Sequence, residues 1–318
     1  MPNLINLLPS RIYDILEKTG ICSHRQIIIL SIWDIQKLTN LCKDDILLLK
    51  NISCNNLEPN PSTCDALLTK SNYCKKVATG CSTIDTFLNG GLRRGTITEL
   101  YGESGSGKTQ FAMQSAIHTW ENGCLFICTE DLFPVKRYEQ IKRSLPNYQH
   151  SINYGKNIFI EHITESQDLL SCVRVRIPKL LNENKLALIV IDSIAGPFRS
   201  ENTNYIQRAE NLRELASLLI MLAQEYQLAV LCINQVTASF DTADVLPSLG
   251  LAWSNMVTTR LQLKKTTEVM NLTNTTLHLN QMSYNVYIRE LSVIFSPDLL
   301  NSTVRFIITE NGISCPIK

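Results

Sequence analysis

The run Gly102-Glu103-Ser104-Gly105-Ser106-Gly107-Lys108-Thr109 decides how the rest of the chain is read. It matches G-x-x-x-x-G-K-[ST]. An apolar segment, Ile97-Thr98-Glu99-Leu100-Tyr101, precedes it, and a helical stretch over 111–120 follows. A strand, a glycine-bearing bend and a helix N-terminus in that order make a phosphate cradle. Glycines let backbone N–H groups turn inward, and the helix dipole adds partial positive charge at the same point. Lys108 can reach the β- and γ-phosphates, and Thr109 offers a hydroxyl to Mg²⁺. The candidate nucleotide contacts are therefore Gly102, Glu103, Ser104, Gly105, Ser106, Gly107, Lys108, Thr109 and the next helical residue, Gln110. Four fixed positions arise by chance in a chain of this length roughly once in a hundred, and the strand-loop-helix context lowers that further.

Outward from this loop, three strand ends carry polar residues. Asp192 ends the apolar run 186–191, where parallel sheets place ligands, and is the natural second metal ligand beside Thr109. Glu130 follows the strand ending at Cys128. If that strand neighbours the P-loop strand, its carboxylate can polarise a water toward the γ-phosphate. Gln235 follows the strand ending at Ile233, placed to touch the γ-phosphate. On spacing alone, Glu130-Asp131 also reads as a solvated pair and Asn234-Gln235 as ordinary turn amides.

Short apolar runs alternate with longer amphipathic ones from residue 80. Strands are predicted at 97–101, 125–128, 157–160, 186–191 and 228–233, and helices at 111–120, 169–181 and 212–226. This is the pattern of an α/β fold with a mostly parallel sheet. Runs at 258–263, 285–293 and 304–308 alternate with period two and read as antiparallel strands nearer an edge. Residues 4–52 read as four or five short helices. Asp14, Ser23, Ser31 and Thr39 lie near helix starts, and Gly20 is a C-cap. The polar, turn-rich stretch after Asn55 reads as a linker. The expected organisation is a helical N-terminal domain over 1–54, a linker over 55–79 and an ATPase core over 80–318.

Composition narrows the class. The chain has 318 residues, 44% apolar and 19% charged, which is ordinary for a globular protein. A net charge of +1 gives no global attraction to nucleic acid, so any DNA contact must be a local patch. No apolar run is long enough to span a membrane, and the first residues lack a secretory signal pattern. Eleven cysteines without a Cys-x-x-Cys pair read as free thiols in a reducing compartment, with zinc ligation as the alternative.

The P-loop, Thr129-Glu130, Ile191-Asp192-Ser193 and Ile233-Asn234-Gln235-Val236 stand in the order of the RecA family. Gly80-Cys81-Ser82-Thr83-Ile84-Asp85 and Gly90-Gly91-Leu92 look like the lead-in to that core. From about residue 4 to 313 the chain resembles eukaryotic and archaeal RecA-type recombinases, and the flanks of these motifs resemble one paralogue branch. The resemblance implies a RecA-like P-loop ATPase core that uses ATP and Mg²⁺. It implies Lys108, Glu130 and Gln235 as catalytic residues, Arg137 stacked on adenine, and Thr109 and Asp192 as metal ligands. It also implies DNA-binding loops over 199–210 and 236–248, and nuclear action in homologous recombination, with the cytoplasm as a second compartment. The expected partners are another recombinase paralogue in a heterodimer and single-stranded or branched DNA, with no membrane.

Departures temper the carry-over. The first loop lacks a Gly-Arg-Gly-Glu run, leaving Arg199 and Arg208 as its DNA-binding candidates. The second loop carries only the acidic charges Asp241 and Asp244, whereas phosphate contacts need Lys or Arg. The linker lacks a Phe-x-x-Ala self-assembly motif, and Phe240-Asp241-Thr242-Ala243 reads as coincidence. The helical domain lacks the Gly-x-Gly of a DNA clamp and reads as a packing or partner module. Lys142-Arg143 and Lys264-Lys265 read as solvated faces. A weak ATPase in a heteromeric complex is thus expected. The alternatives are an autonomous filament-forming recombinase and a non-hydrolysing, ATP-binding scaffold.

Overall fold

The computed structural model describes residues 9–21, 23–57, 63–69, 75–146, 148–199, 205–238, 245–273 and 283–316, and the chain divides into two compact units, 1–73 and 74–318. The first is helical: Ser10–Thr19, His24–Ile29, Ile32–Thr39, Lys43–Leu57 and Cys64–Thr69. Apolar side chains at helical spacing, among them Ile12, Leu16, Ile27, Ile35, Ile46 and Leu49, close one core. Ser23 and Ser31 cap their helices with full capping boxes, and Gly20 ends the first helix in the left-handed region. Asp14 and Thr39 start nothing. Asp14 lies inside the first helix, which begins after Pro9, and Thr39 ends the third helix before Asn40. The interval read as linker carries structure of its own, since the fourth helix runs to Leu57, a further helix follows at Cys64–Thr69, and Lys76–Val77 is a strand.

The strands of the second unit are β1 Lys76–Val77, β2 Leu92–Arg93, β3 Ile97–Tyr101, β4 Cys124–Cys128, β5 Ile158–His162, β6 Leu188–Asp192 and β7 Ala229–Asn234. They continue with β8 Val236–Ala238, β9 Val245–Pro247, β10 Thr259–Thr273, β11 Ser283–Phe295, β12 Thr303–Thr309 and β13 Gly312–Ser314. Among the described residues one sheet has nine strands in the order β13-β12-β11-β10-β3-β7-β6-β4-β5. The six strands from β10 to β5 are parallel, and β11, β12 and β13 add antiparallel.

Every residue of β3, β4 and β7 is buried, because helices cover both faces. On one face Leu125, Ile127, Ile189 and Ile191 pack against Leu212, Leu215 and Leu219 of the helix Tyr205–Tyr226. On the other, Leu100, Phe126 and Leu231 pack against Phe111, Ala112 and Ala116 of the P-loop helix Lys108–His118. Each such Leu, Ile or Phe side chain contributes about 1.5–3 kcal/mol of burial. Strands apolar on both faces have no alternation to set register. Asp192 supplies that signal, since a slip inward would bury a carboxylate among Leu and Ile side chains.

Two expectations change here. The run at 258–263 was read as antiparallel, yet β10 pairs parallel with β3 and antiparallel only with β11. The crossover through β8, β9 and the helix Gly250–Ser254 returns the chain in the same direction. The helix read over 169–181 is the middle of a longer stretch, Ser166–Ser171, Cys172–Arg176 and Ile177–Glu183. Its central segment is a π turn in which the Ile177 N–H reaches Cys172 O, one turn before Pro178. Among the described residues all cysteines are free: Cys81, Cys124, Cys128, Cys172 and Cys232 are buried, and Cys42, Cys54, Cys64 and Cys315 are exposed.

Candidate nucleotide site

Four adjacent strands, β3, β7, β6 and β4, end at one edge of the sheet, and each hands its loop to one cavity. The cavity measures about 630 Å³ and is lined by Gly102, Ser104, Gly105, Gly107, Lys108, Thr109, Gln110, Glu130, Asp192 and Gln235, among others. Pockets that hold nucleotide-sized ligands fall in the range of about 300–1,000 Å³. Glu130 arrives by a different route from the one expected. Its strand β4 does not neighbour β3, since β7 and β6 stand between them. The P-loop helix instead leans back across these strands and brings Thr109 to Asp192.

Gly107 is the N-cap of that helix at φ +113°, and no side chain caps it. The first-turn amides therefore lack intrahelical and side-chain acceptors, which is the donor set a phosphate accepts from. A Cβ at Gly107 would stand 2.5 Å from Ile308 Cδ1, and the backbone at φ +113° is strained for any residue with a side chain. Ser106 Oγ is buried with no hydrogen-bond partner among the described residues. Lys108 Nζ donates to the carbonyls of Gly102 and Glu103, both at 2.8 Å, folded back over its own loop. Burial lowers its proton affinity, and the carboxylates of Asp192, Glu130 and Glu103 oppose that shift. Residues present here fit a polyphosphate.

Thr109 Oγ1 donates to Asp192 Oδ2 at 2.7 Å, so the two residues read as metal ligands meet directly. Burial raises the Asp192 carboxyl above its ordinary value, against the opposing hydrogen bond from Thr109 and the charge of Lys108. Two oxygens of this kind suit a hard divalent cation. Gln235 Nε2 donates to both carboxylate oxygens of Glu130 at 2.7 Å. Arg199 Nη1 lies 3.6 Å from Glu130 Oε1. Gly196 permits this packing, since a Cβ there would stand 2.8 Å from Thr129 Oγ1 and 2.9 Å from Glu130 Cγ.

Other candidates fall elsewhere. Arg137 is not among the residues that line the cavity; its Nε donates to Gln110 Oε1 at 2.6 Å, its Nη1 to Gln140 Oε1 at 2.6 Å and Glu310 O at 2.8 Å, and its Nη2 to Thr309 O at 2.6 Å, which leaves the face of the guanidinium without a partner among the described residues. Arg208 is not on a loop. The helix Tyr205–Tyr226 begins three residues before it, two turns earlier than the apolar stripe from Leu212 suggested. Of the second loop, β8 and β9 pair as its base, and 239–244, with Phe240, Asp241 and Ala243, lie outside the described residues. Lys265 lies over the Tyr287 ring at 3.8 Å, and Lys142 pairs with Glu139 at 2.6 Å.

Reading by motif missed two groups. Arg289 of β11 lines the cavity. Glu99, in the middle of β3 and fully buried, accepts from Asn234 Nδ2 at 2.7 Å, Trp253 Nε1 at 3.0 Å and Arg260 Nε at 2.5 Å. Asn234 Oδ1 in turn accepts from the Gln235 N–H and Ser248 Oγ, both at 2.8 Å, so this buried network anchors the residue before Gln235 and the end of the second loop. A charged residue inside an apolar strand was the available signal for Glu99.

Comparison with known proteins agrees with this geometry. The Rad51 family model matches residues 70–316. The chain is similar to the DNA repair protein XRCC3 of Bos taurus, 34% identical over 252 residues that cover 71% of this chain and 70% of the relative. It is 31% identical to the XRCC3 homolog of Arabidopsis thaliana over 274 residues, 73% of this chain and 90% of the relative. It is 28% identical to the DNA repair protein rhp57 of Schizosaccharomyces pombe over 284 residues, 72% of this chain and 76% of the relative. With a RecA-like sheet, a P-loop and these relatives, the chain belongs to the Rad51 family.

Proposed function

We propose that this protein is an ATP-dependent recombinase paralogue of homologous-recombination DNA repair, a weak ATPase working on DNA in the nucleus with a second paralogue subunit. One observation carries the reading: Thr109 and Asp192 meet at 2.7 Å on the floor of a cavity whose wall holds Glu130 against Gln235. In this reading Gly105, Gly107, Lys108 and Thr109 hold the phosphates of ATP, with Lys108 exchanging two backbone carbonyls for phosphate oxygens. Thr109 and Asp192 hold Mg²⁺, which when bound neutralises charge developing on the phosphates. Glu130 orients a water and accepts its proton, and Gln235 reports the terminal phosphate to the second loop. The similar proteins are DNA repair proteins, which supports the same role here.

A protein partner is supported by the sheet edge. Among the described residues β5 is the last strand, and Ile160 on it is exposed. Beside it runs a groove of about 310 Å³ where Leu125, Phe159, Ile160, Ile177 and Leu180 are interleaved with the charged Glu161, Arg176, Lys179 and Glu183. The decisive experiment measures phosphate release by wild type and Glu130→Gln with DNA and the partner present. Loss of a general base costs about a hundred- to ten-thousandfold. Equal, near-zero rates in both proteins would instead identify a scaffold that binds ATP without hydrolysing it.

A further inference from the structure

Lys108 is not alone among cations on this cavity. Arg289 lines it too, from an element that carries no recognised motif. In β11 the side chains of Leu291 and Val293 are buried in the cluster that contains Phe111, Ala112 and Ala116 of the P-loop helix. Side chains two apart on a strand share a face. Arg289 is the next position outward on that face, so it emerges at the N-terminus of the same helix. Its Nε donates to Ser106 O at 3.0 Å, and its Nη1 donates to Tyr287 O at 3.1 Å. Its Nε lies 3.5 Å from where a Cβ on Gly107 would stand.

The position is costly for a cation. Arg289 is half-buried, and its proton affinity is lowered by desolvation with no acidic neighbour opposing the shift. Several arginines of this unit are paired with carboxylates, Arg260 with Glu99, Arg305 with Glu268 and Glu290, Arg176 with Glu161, and Arg199 with Glu130, whereas Arg94 is desolvated like Arg289 but does not line the cavity. Arg289 has no carboxylate partner among the described residues, and its Nη2 has no protein acceptor there. A partly desolvated guanidinium is stabilised by an anion, and a planar fork of free N–H groups suits phosphate oxygens. The helix N-terminus and Lys108 bring positive charge to the same place. Three converging positive groups, one of them unpaired, call for a polyanion.

We propose that Arg289 is a second cationic ligand of the nucleotide polyphosphate. Lys108 grips it from the P-loop, and Arg289 grips it from the antiparallel side of the sheet. Because Nε also holds the Ser106 carbonyl, the same side chain ties the shape of the loop to its charge. This assignment rests on the reading of the cavity as a nucleotide site. Its ligand class is nucleoside di- and triphosphates, and its contribution grows with the number of phosphates.

The test uses the full-length protein and a fluorescent ADP analogue, with ATP, ADP and AMP as competitors. Arg289→Gln and Arg289→Ala should weaken ATP and ADP binding about ten- to hundredfold, as expected for a lost charged hydrogen bond, and AMP binding less. Arg289→Lys should lie between. Melting of the nucleotide-free protein separates a ligand from a brace. Removing an unpaired, desolvated charge should leave it unchanged or raised, and only the shift caused by ADP should shrink. ATP affinity within about twofold of wild type in Arg289→Gln would overturn the proposal. So would equal losses for AMP and ATP together with a lowered nucleotide-free melting point, the signature of a loop brace alone. Lys108→Ala is the parallel arm. If it weakens binding while Arg289→Gln does not, only Arg289 is misassigned; if neither does, the cavity is not the nucleotide site.

Discussion

Arg199 Nη1 stands 3.6 Å from Glu130 Oε1, so a residue read as a DNA contact leans on the residue read as the catalytic base. With Gln235 on both oxygens of that carboxylate, Glu130 is engaged from two sides. A DNA phosphate that drew Arg199 away would release one side. Both partners are well exposed, and such pairs are worth about 0.2–1 kcal/mol. Arg199→Ala should therefore raise DNA-free phosphate release only roughly two- to fivefold and flatten stimulation by single-stranded DNA. Steady-state phosphate release with and without DNA reads both effects. An unchanged DNA-free rate would remove the coupling from this contact.

Lys108 folds onto two carbonyls of its own loop and is poised to exchange them for phosphate oxygens. One charged hydrogen bond is worth about 1.5–3 kcal/mol, or roughly 10- to 150-fold in affinity. Lys108→Ala should lose that much ATP affinity by equilibrium titration. Thr109→Val should instead leave affinity for Mg²⁺-free nucleotide close to wild type and lose the increment that Mg²⁺ adds.

Asp192 gives the pH signature. Burial raises its carboxyl, so the folded protein binds the proton more tightly than the unfolded chain. Its stabilising contribution is complete below the unfolded value of about 3.9 and is lost as pH rises through the higher folded value. Asp192→Asn removes that loss. The nucleotide-free variant should melt as high as wild type or higher at neutral pH. It should also fail to gain from Mg²⁺ and nucleotide together. Melting curves between pH 5 and 8, with and without both ligands, give the comparison.

What was readable in the chain was what lies close together in it. The P-loop, its strand and its helix are contiguous, and the apolar run before Asp192 needed no partner to declare a buried strand. Direction and company were not readable. Period two is the same in a parallel and an antiparallel strand, so alternation alone could not show that β10 pairs parallel with β3. Arg137 was named from the family resemblance, whereas Arg289 carries no motif and only the fold places it on the cavity. Arg208 moved from loop to helix because the exposed residues Tyr205 and Ile206 broke the apolar stripe while the backbone helix continued.

Glu99 tests whether the site depends on a charge it never shows to solvent. Its carboxylate is fully buried, holds Arg260, Trp253 and Asn234, and through Asn234 fixes the N–H of Gln235. Glu99→Ala leaves the Arg260 guanidinium buried over the Phe295 ring without its counter-ion. Removing one partner of a buried pair costs about 3–5 kcal/mol, a large share of the roughly 5–15 kcal/mol that holds a domain together. Replacing both partners with apolar residues is often close to neutral. Urea unfolding should thus show Glu99→Ala strongly destabilised and Glu99→Ala/Arg260→Met substantially restored. The double variant still lacks the acceptor for Asn234, so ATP affinity should return with the fold while phosphate release stays low. If the double variant were no more stable than Glu99→Ala, the lost ion pair would not be the cause. If its phosphate release matched wild type, Glu99 would have no part in positioning Gln235.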